Sequence, residues 1–147
     1  MKALIQRVSF STLRVNNEEY SAIKKGLLVL LGVEQGDTID DLEYLKKKIV
    51  NLRIFEDENE KMNLSVKDIN GEIMLVSQFT LCADCQKGNR PSFIKAENPD
   101  KANMLYEMMI NEIQKENIFV KKGVFGEHMM INLENDGPVT IMLESRK

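Results

Sequence analysis

Tryptophan is absent from this chain of 147 residues, and histidine occurs once, cysteine twice and proline three times. The shortage of cysteine and histidine closes off whole classes of protein. Cys82 and Cys85 are too few and too close for the disulfide framework of a secreted domain, so a reducing cytoplasm is the expected location. They also cannot complete a four-ligand structural zinc site, because no second cysteine pair and no histidine pair exists. No run approaches the ~18 apolar residues of a membrane span. The opening Met1-Lys2-Ala3-Leu4-Ile5-Gln6-Arg7 meets charge before any apolar stretch develops, so neither a signal peptide nor membrane attachment is expected. Positive charge is short as well: 20 Lys plus Arg against 23 Asp plus Glu gives a net charge of −3. With no basic field over the molecule, any contact with RNA must be local. What remains is 43% hydrophobic and 29% charged, an ordinary globular balance that predicts one domain over residues 1–147. At this size folding hides roughly two thirds of the unfolded surface, enough for one core without staples.

The chain opens with β structure. Residues 2–10 and 12–15 read as strands, and Asn16-Asn17 supplies the left-handed turn geometry that leads into Tyr20–Ile23. Leu27–Val33 is a continuous apolar run between glycines, which predicts a central strand covered on both faces. Thr38 with Asp41 has the spacing of a capping box, and Ile39, Leu42, Leu45, Ile49 and Leu52 recur at helical spacing behind it. Acidic residues at that helix's start and lysines toward its end complement its dipole, and the lysine run reads as a solvated face. Asn70-Gly71 marks a turn before a strand over 72–79. Asn98 caps a second helix with Pro99 in its first turn and a stripe of Ala102, Leu105, Met108, Met109 and Ile113. Strands over 118–121, 127–134 and 139–144 follow, the last two separated by Asn135-Asp136-Gly137-Pro138. About eight strands with two main helices are too helix-poor for a doubly wound sheet, so the expected fold is a single layered α/β domain with mixed β-sheets. An apolar sheet face left uncovered would favour a homodimer.

The scarce residues are the place to look for chemistry. His128 falls within the predicted strand 127–134, and without a Gly-x-Ser-x-Gly elbow no Ser-His-Asp triad can be built around it. Cys82-Ala83-Asp84-Cys85 has redox spacing but opens a Gly-Asn-Arg-Pro loop rather than a helix, so incidental cysteines are the simpler reading. Ser77-Gln78-Phe79-Thr80 sets hydroxyls, an amide and an aromatic ring where a buried strand emerges into a loop. That is a sensible place for ligand contacts and equally an ordinary polar strand end. Gly137-Pro138 is as ambiguous, a plain turn or a cis X-Pro bond.

Taken together, the motifs have a family pattern. Ala3–Val8, Gly26–Val33, Arg53-Ile54-Phe55, Lys61–Leu64, Val76–Leu81, Gly88–Phe93 and Asn135–Thr140 occur in the order seen in the bacterial-type D-aminoacyl-tRNA deacylases, which the chain resembles from end to end. The resemblance implies a homodimer with two equivalent active sites at the subunit interface. Each would use Ser77, Gln78, Phe79 and Thr80 of one chain and Gly137-Pro138 of its partner, held by Arg7, with the Gly-Pro bond cis and its carbonyls filling the space an L side chain would need. The implied reaction is hydrolysis of the ester between a D-amino acid, or a glycine mischarged on tRNA(Ala), and the terminal ribose of tRNA. The N–H groups around Phe79 and Thr80 are the candidate oxyanion donors. The terminal 2′-hydroxyl of the RNA would help to activate water in place of a protein nucleophile. No metal or organic cofactor follows from that chemistry. Local affinity for tRNA would rest on Lys87, Arg90 and Lys95. Two other readings compete: a non-catalytic nucleic-acid or protein-binding module on the same fold, and a cysteine redox protein that would fail without Cys82 and Cys85.

Overall fold

The computed structural model describes residues 1–145. In chain order it comprises β1 (Lys2–Val15), β2 (Glu18–Ile23), β3 (Gly26–Gly32), α1 (Ile39–Asn51), β4 (Phe55–Glu56), β5 (Met62–Leu64), β6 (Glu72–Ser77), a 3₁₀ turn (Phe79–Cys82), α2 (Pro99–Gln114), β7 (Phe119–Lys122) and β8 (Met129–Glu144). The α/β class with two main helices is as expected. β1 is the spine. One of its edges pairs along nearly its whole length with antiparallel β8, and β3 and β2 pair with its first and last residues respectively. From β3 the sheet continues through β6 and β7 as parallel neighbours, while β4 and β5 form a small hairpin apart.

The sheet is mixed and curls so far that it has two apolar faces to fill. On β3, Leu27, Val29 and Leu31 join the larger core under α1 and α2, whereas Leu28 and the partly buried Leu30 join a second cluster inside the curl. β6 alternates likewise, with Ile73 and Leu75 toward the helices and Met74 and Val76 away from them. These two strands are buried on both sides, which is why their sequences read as unbroken apolar runs. β1 changes allegiance along its length: Ala3 and Ile5 face the helices, while Leu13, also odd-numbered, faces the second cluster. The register explains it, for Val8 pairs with Asn135 and Phe10 with Glu134, leaving one extra residue at Ser9. A single inserted residue turns every later side chain to the opposite face. The sequence pattern suggested two strands, over 2–10 and 12–15, where one bulged strand runs through.

The expected strands 127–134 and 139–144 also form one continuous element. Their junction is an outward loop opposite Arg7, because Gln6 pairs with Thr140 and Val8 with Asn135, so β8 spends three more residues there than β1. Asn135 closes the base of that loop, its amide donating to Thr140 Oγ1 (2.9 Å) and its carbonyl accepting from the Val139 N–H (3.1 Å). The helix ends follow the sequence signals: Asn98 accepts from the Lys101 N–H at 3.0 Å, and the Asp41 carboxylate accepts from the Thr38 N–H at 2.9 Å. No helix of the described residues is long and apolar enough to cross a membrane.

Tyr106 ties α2 to the sheet. Its hydroxyl donates to the Leu75 carbonyl (2.7 Å) and accepts from the Gly123 N–H (3.2 Å), and burial holds the phenol well above its ordinary pKa. Tyr106→Phe should therefore lower the unfolding free energy by about 0.5–1.5 kcal/mol, because the Gly123 N–H and the Leu75 carbonyl lose the hydroxyl they share but keep the 3.2 Å bond to each other. A denaturant midpoint equal to wild type would show that solvent replaces the hydroxyl.

Candidate active site

β3 and β6 run parallel and end together at Leu31 and Ser77, and ligands gather beyond the carboxyl ends of parallel strands. Gln78 continues the ladder by one hydrogen bond, its N–H donating to Leu31 O at 2.8 Å. The chain then tightens into the 3₁₀ turn, with Leu81 N–H donating to Gln78 O (3.3 Å) and Ala83 N–H to Thr80 O (3.2 Å). The strand expected to reach Phe79 thus stops at Ser77. The turn fits because residue 32 is a glycine: a Cβ there would lie 3.0 Å from Leu81 Cβ, 3.1 Å from Gln78 O and 3.2 Å from Cys82 Sγ. Cys82 is packed beneath the turn, its thiol directed at Val33 O (3.6 Å) and pushed up in pKa first by burial and then by Glu34. Cys85 is exposed, so the pair occupies two different environments.

This turn presents polar groups outward. The N–H groups of Phe79 and Thr80 precede its first i→i+3 bond and so lie free of that ladder. Gln78 donates its side-chain amide to Thr80 Oγ1. Phe79 is 56% exposed and packs edge-on against Phe93, with ring centroids 5.0 Å apart.

An open cavity of ≈ 490 Å³ adjoins the turn. Val33, Val76, Phe125 and Ile131 give it apolar walls, and Ser77, Gln78, Phe79, Glu97 and His128 supply polar or exposed groups, whereas Thr80 stands just outside. The Glu97 carboxylate is committed already: Lys101 Nζ donates to it at 2.8 Å and the Asn98 N–H at 2.9 Å, and these bonds hold its pKa below the usual range. His128 was expected on a strand but lies one residue before β8 begins, exposed in the turn that follows Gly126. Among the described residues it makes no hydrogen bond to protein, so neither a nucleophile nor an orienting carboxylate completes a triad with it.

The other group of expected site residues sits apart. Gly137 and Pro138 are exposed at the tip of the β8 loop, their peptide bond is cis, and neither lines the cavity of the same chain. Arg7 is buried beneath them. Its Nε donates to Asp136 O (3.0 Å) and its Nη1 to Ile54 O (2.7 Å), so one guanidinium joins the β8 loop to the residue before β4. Sequence reading missed Glu97, Phe125 and His128 as cavity residues. Their only signal was local, a helix cap and a Gly-Glu-His turn, and neither indicates which cavity the fold will place it beside.

A sequence profile of the family described as D-Tyr-tRNA(Tyr) deacylase matches residues 4–144. A D-aminoacyl-tRNA deacylase of Thermosipho melanesiensis is 55% identical over 148 residues, covering 100% of this chain and 99% of the relative. One from Clostridium perfringens strain 13 is 50% identical over 147 residues with the same coverage. A solved structure described as c-Myc DNA Unwinding Element Binding Protein superposes with a TM-score of 0.95 at 43% identity, covering 100% of both chains. A second, described as a probable eukaryotic D-amino acid tRNA deacylase, has a TM-score of 0.81 at 18% identity over 97% of this chain and 98% of its own, a likeness of fold. Fold, cavity and relatives define a hydrolase of the tRNA-editing class. The chain belongs to the D-Tyr-tRNA(Tyr) deacylase family.

Proposed function

We propose that the protein hydrolyses the ester of D-aminoacyl-tRNA, and of glycyl-tRNA mischarged on tRNA(Ala), at a site shared between two copies of the chain. The observation that carries this reading is the division of the motif residues. Ser77, Gln78 and Phe79 border a cavity that Gly137 and Pro138 of the same chain do not reach, while an exposed loop presents those two residues outward on a buried arginine. A second copy offers the simplest way to bring the two groups together. β8 supports it, since among the described residues it pairs with β1 alone and exposes Met130 and Met142 along an otherwise available strand. The ester carbonyl would lie against the 3₁₀ turn, where the Phe79 and Thr80 N–H groups stabilise the developing oxyanion. The partner's Gly-Pro carbonyls would occupy the space on the L side of the α-carbon, and glycine, with no side chain, would be admitted with the D-amino acids. The site would work in the cytoplasm, where charged tRNA is found.

Thr80 has no base beside it, so water activated by the terminal 2′-hydroxyl of the RNA is the favoured route. His128→Ala and Thr80→Ala should each slow turnover by far less than the ~10²–10⁴ that a general base or nucleophile contributes. Single-turnover rates on D-tyrosyl-tRNA measure this, and a loss within that range at either position would place the missing group on the protein.

The test of the whole reading follows release of labelled amino acid from D-tyrosyl-tRNA and L-tyrosyl-tRNA in parallel, with EDTA present. Release from the D ester alone is expected. Survival of both esters would favour the nucleic-acid-binding module, a reading suggested by the description of the 43% identical structure. Cleavage of both would remove the Gly-Pro exclusion argument.

A further inference from the structure

Next to the cavity, through Phe93 against the lining residue Phe79, runs a loop that the fold pins at both ends. Asp84 and Ser92 exchange backbone hydrogen bonds of 2.8 and 2.9 Å at its neck, and Gln35 N–H donates to Lys95 O (2.9 Å) while Glu97 N–H donates to Val33 O (3.0 Å) where it returns. Between these anchors residues 85–91 are exposed. Gln86–Lys95 carries Lys87, Arg90 and Lys95 and no carboxylate, in a protein of net charge −3. Asp84 partly neutralises Lys95 at 3.3 Å, whereas Lys87 and Arg90 have no ion pair among the described residues. Beside these cations the loop exposes apolar surface, with Ile94 80% and Phe93 37% accessible, and the Phe93 ring abuts Phe79 at the cavity wall. Free cations next to exposed apolar and aromatic side chains match a single-stranded nucleic acid, whose phosphates seek the charges and whose base faces seek the flat apolar surface. An overall acidic protein that acts on RNA needs such a local attachment, because its net field repels the polyanion.

We propose that the loop Asp84–Lys95 is the docking surface for the unpaired nucleotides preceding the terminal adenosine of the substrate RNA. Lys87 and Arg90 take phosphates, and Phe93 and Ile94 lie under a base. The proposal rests on the deacylase reading, and a pair of substrates separates the two. Wild-type protein and a Lys87→Glu/Arg90→Glu double variant are compared on D-tyrosyl-tRNA and on 3′-O-D-tyrosyl-adenosine, which has no preceding nucleotides. The double variant should lose about 10-fold or more in kcat/KM on the tRNA at physiological salt, the deficit should shrink as salt rises, and turnover of the adenosine ester should stay at the wild-type value. Ile94→Ser should weaken tRNA use by a smaller factor with an unaltered salt slope. Equal activity of wild type and double variant on tRNA would overturn the proposal, as would an equal loss on both substrates, which would mark the loop as structural. If wild-type protein cleaves neither ester, the deacylase reading fails and this proposal fails with it.

Discussion

Gly137→Ala should cut kcat/KM on D-aminoacyl-tRNA by about 10²-fold, the scale on which a misplacement near 1 Å acts on a positioned reaction. Gly137 has φ +131°, a conformation that L side chains rarely adopt, and an added Cβ would meet Val139 Cγ2 at 2.8 Å, Val139 N at 3.0 Å and Arg7 Nη2 at 3.2 Å. None of these neighbours can retreat easily. Val139 is fastened through Asn135, and Arg7 is buried with bonds to two carbonyls. The loop itself must move, at a cost of about 1–3 kcal/mol for the strained backbone. Because its tip is exposed, the fold should survive, and a thermal midpoint within a few degrees of wild type would separate misplacement from unfolding. The same variant tests the shared site. Mixed with a Gln78→Ala chain and refolded together, two individually impaired proteins should recover roughly a quarter of wild-type activity, since half the dimers are hybrids and each hybrid has one intact site. No recovery on mixing would assign both motif groups to one chain.

Removal of the terminal 2′-hydroxyl should slow hydrolysis by about 10²–10⁴-fold, the ordinary contribution of a positioned acid or base. A D-aminoacyl-tRNA ending in 2′-deoxyadenosine, with its ester on the 3′ oxygen, is the substrate to compare. The site explains the expectation. Thr80 Oγ1 already accepts from Gln78, the Glu97 carboxylate is held by Lys101 and the Asn98 N–H, and His128 has no orienting partner among the described residues. The turn can offer N–H donors but lacks a prepared base, so the substrate must supply one. KM should change little, since one hydroxyl is lost among many contacts. An unchanged rate on the deoxy substrate would turn attention to His128 as the base.

Much of this architecture was legible in the amino-acid sequence. The apolar runs of β3 and β6, the capped helices and the glycine-bounded turns are local patterns, and local patterns report local backbone preference. Motif order was enough to indicate the family. The bulge at Ser9 was not legible, because Val8, Ser9 and Phe10 keep good β propensity and only pairing with β8 shows that one residue is surplus. The Gly-Pro loop inside β8 was read as a break between strands for a related reason: continuity of a strand is a property of its partner's ladder. His128 was placed on a strand face by alternation, yet β8 begins one residue later and His128 lines the cavity. Loop cations were visible as residues 87, 90 and 95, but only the fold distinguishes Lys95, engaged by Asp84, from Lys87 and Arg90. By itself the sequence determined which segments favour strand or helix, which residues are apolar enough for the core, and which family the order of the motifs matches. Tertiary structure alone decided that one motif borders a cavity while the other stands outward on Arg7, because the distance between residues far apart in the chain is set by sheet curvature and register rather than by local preference.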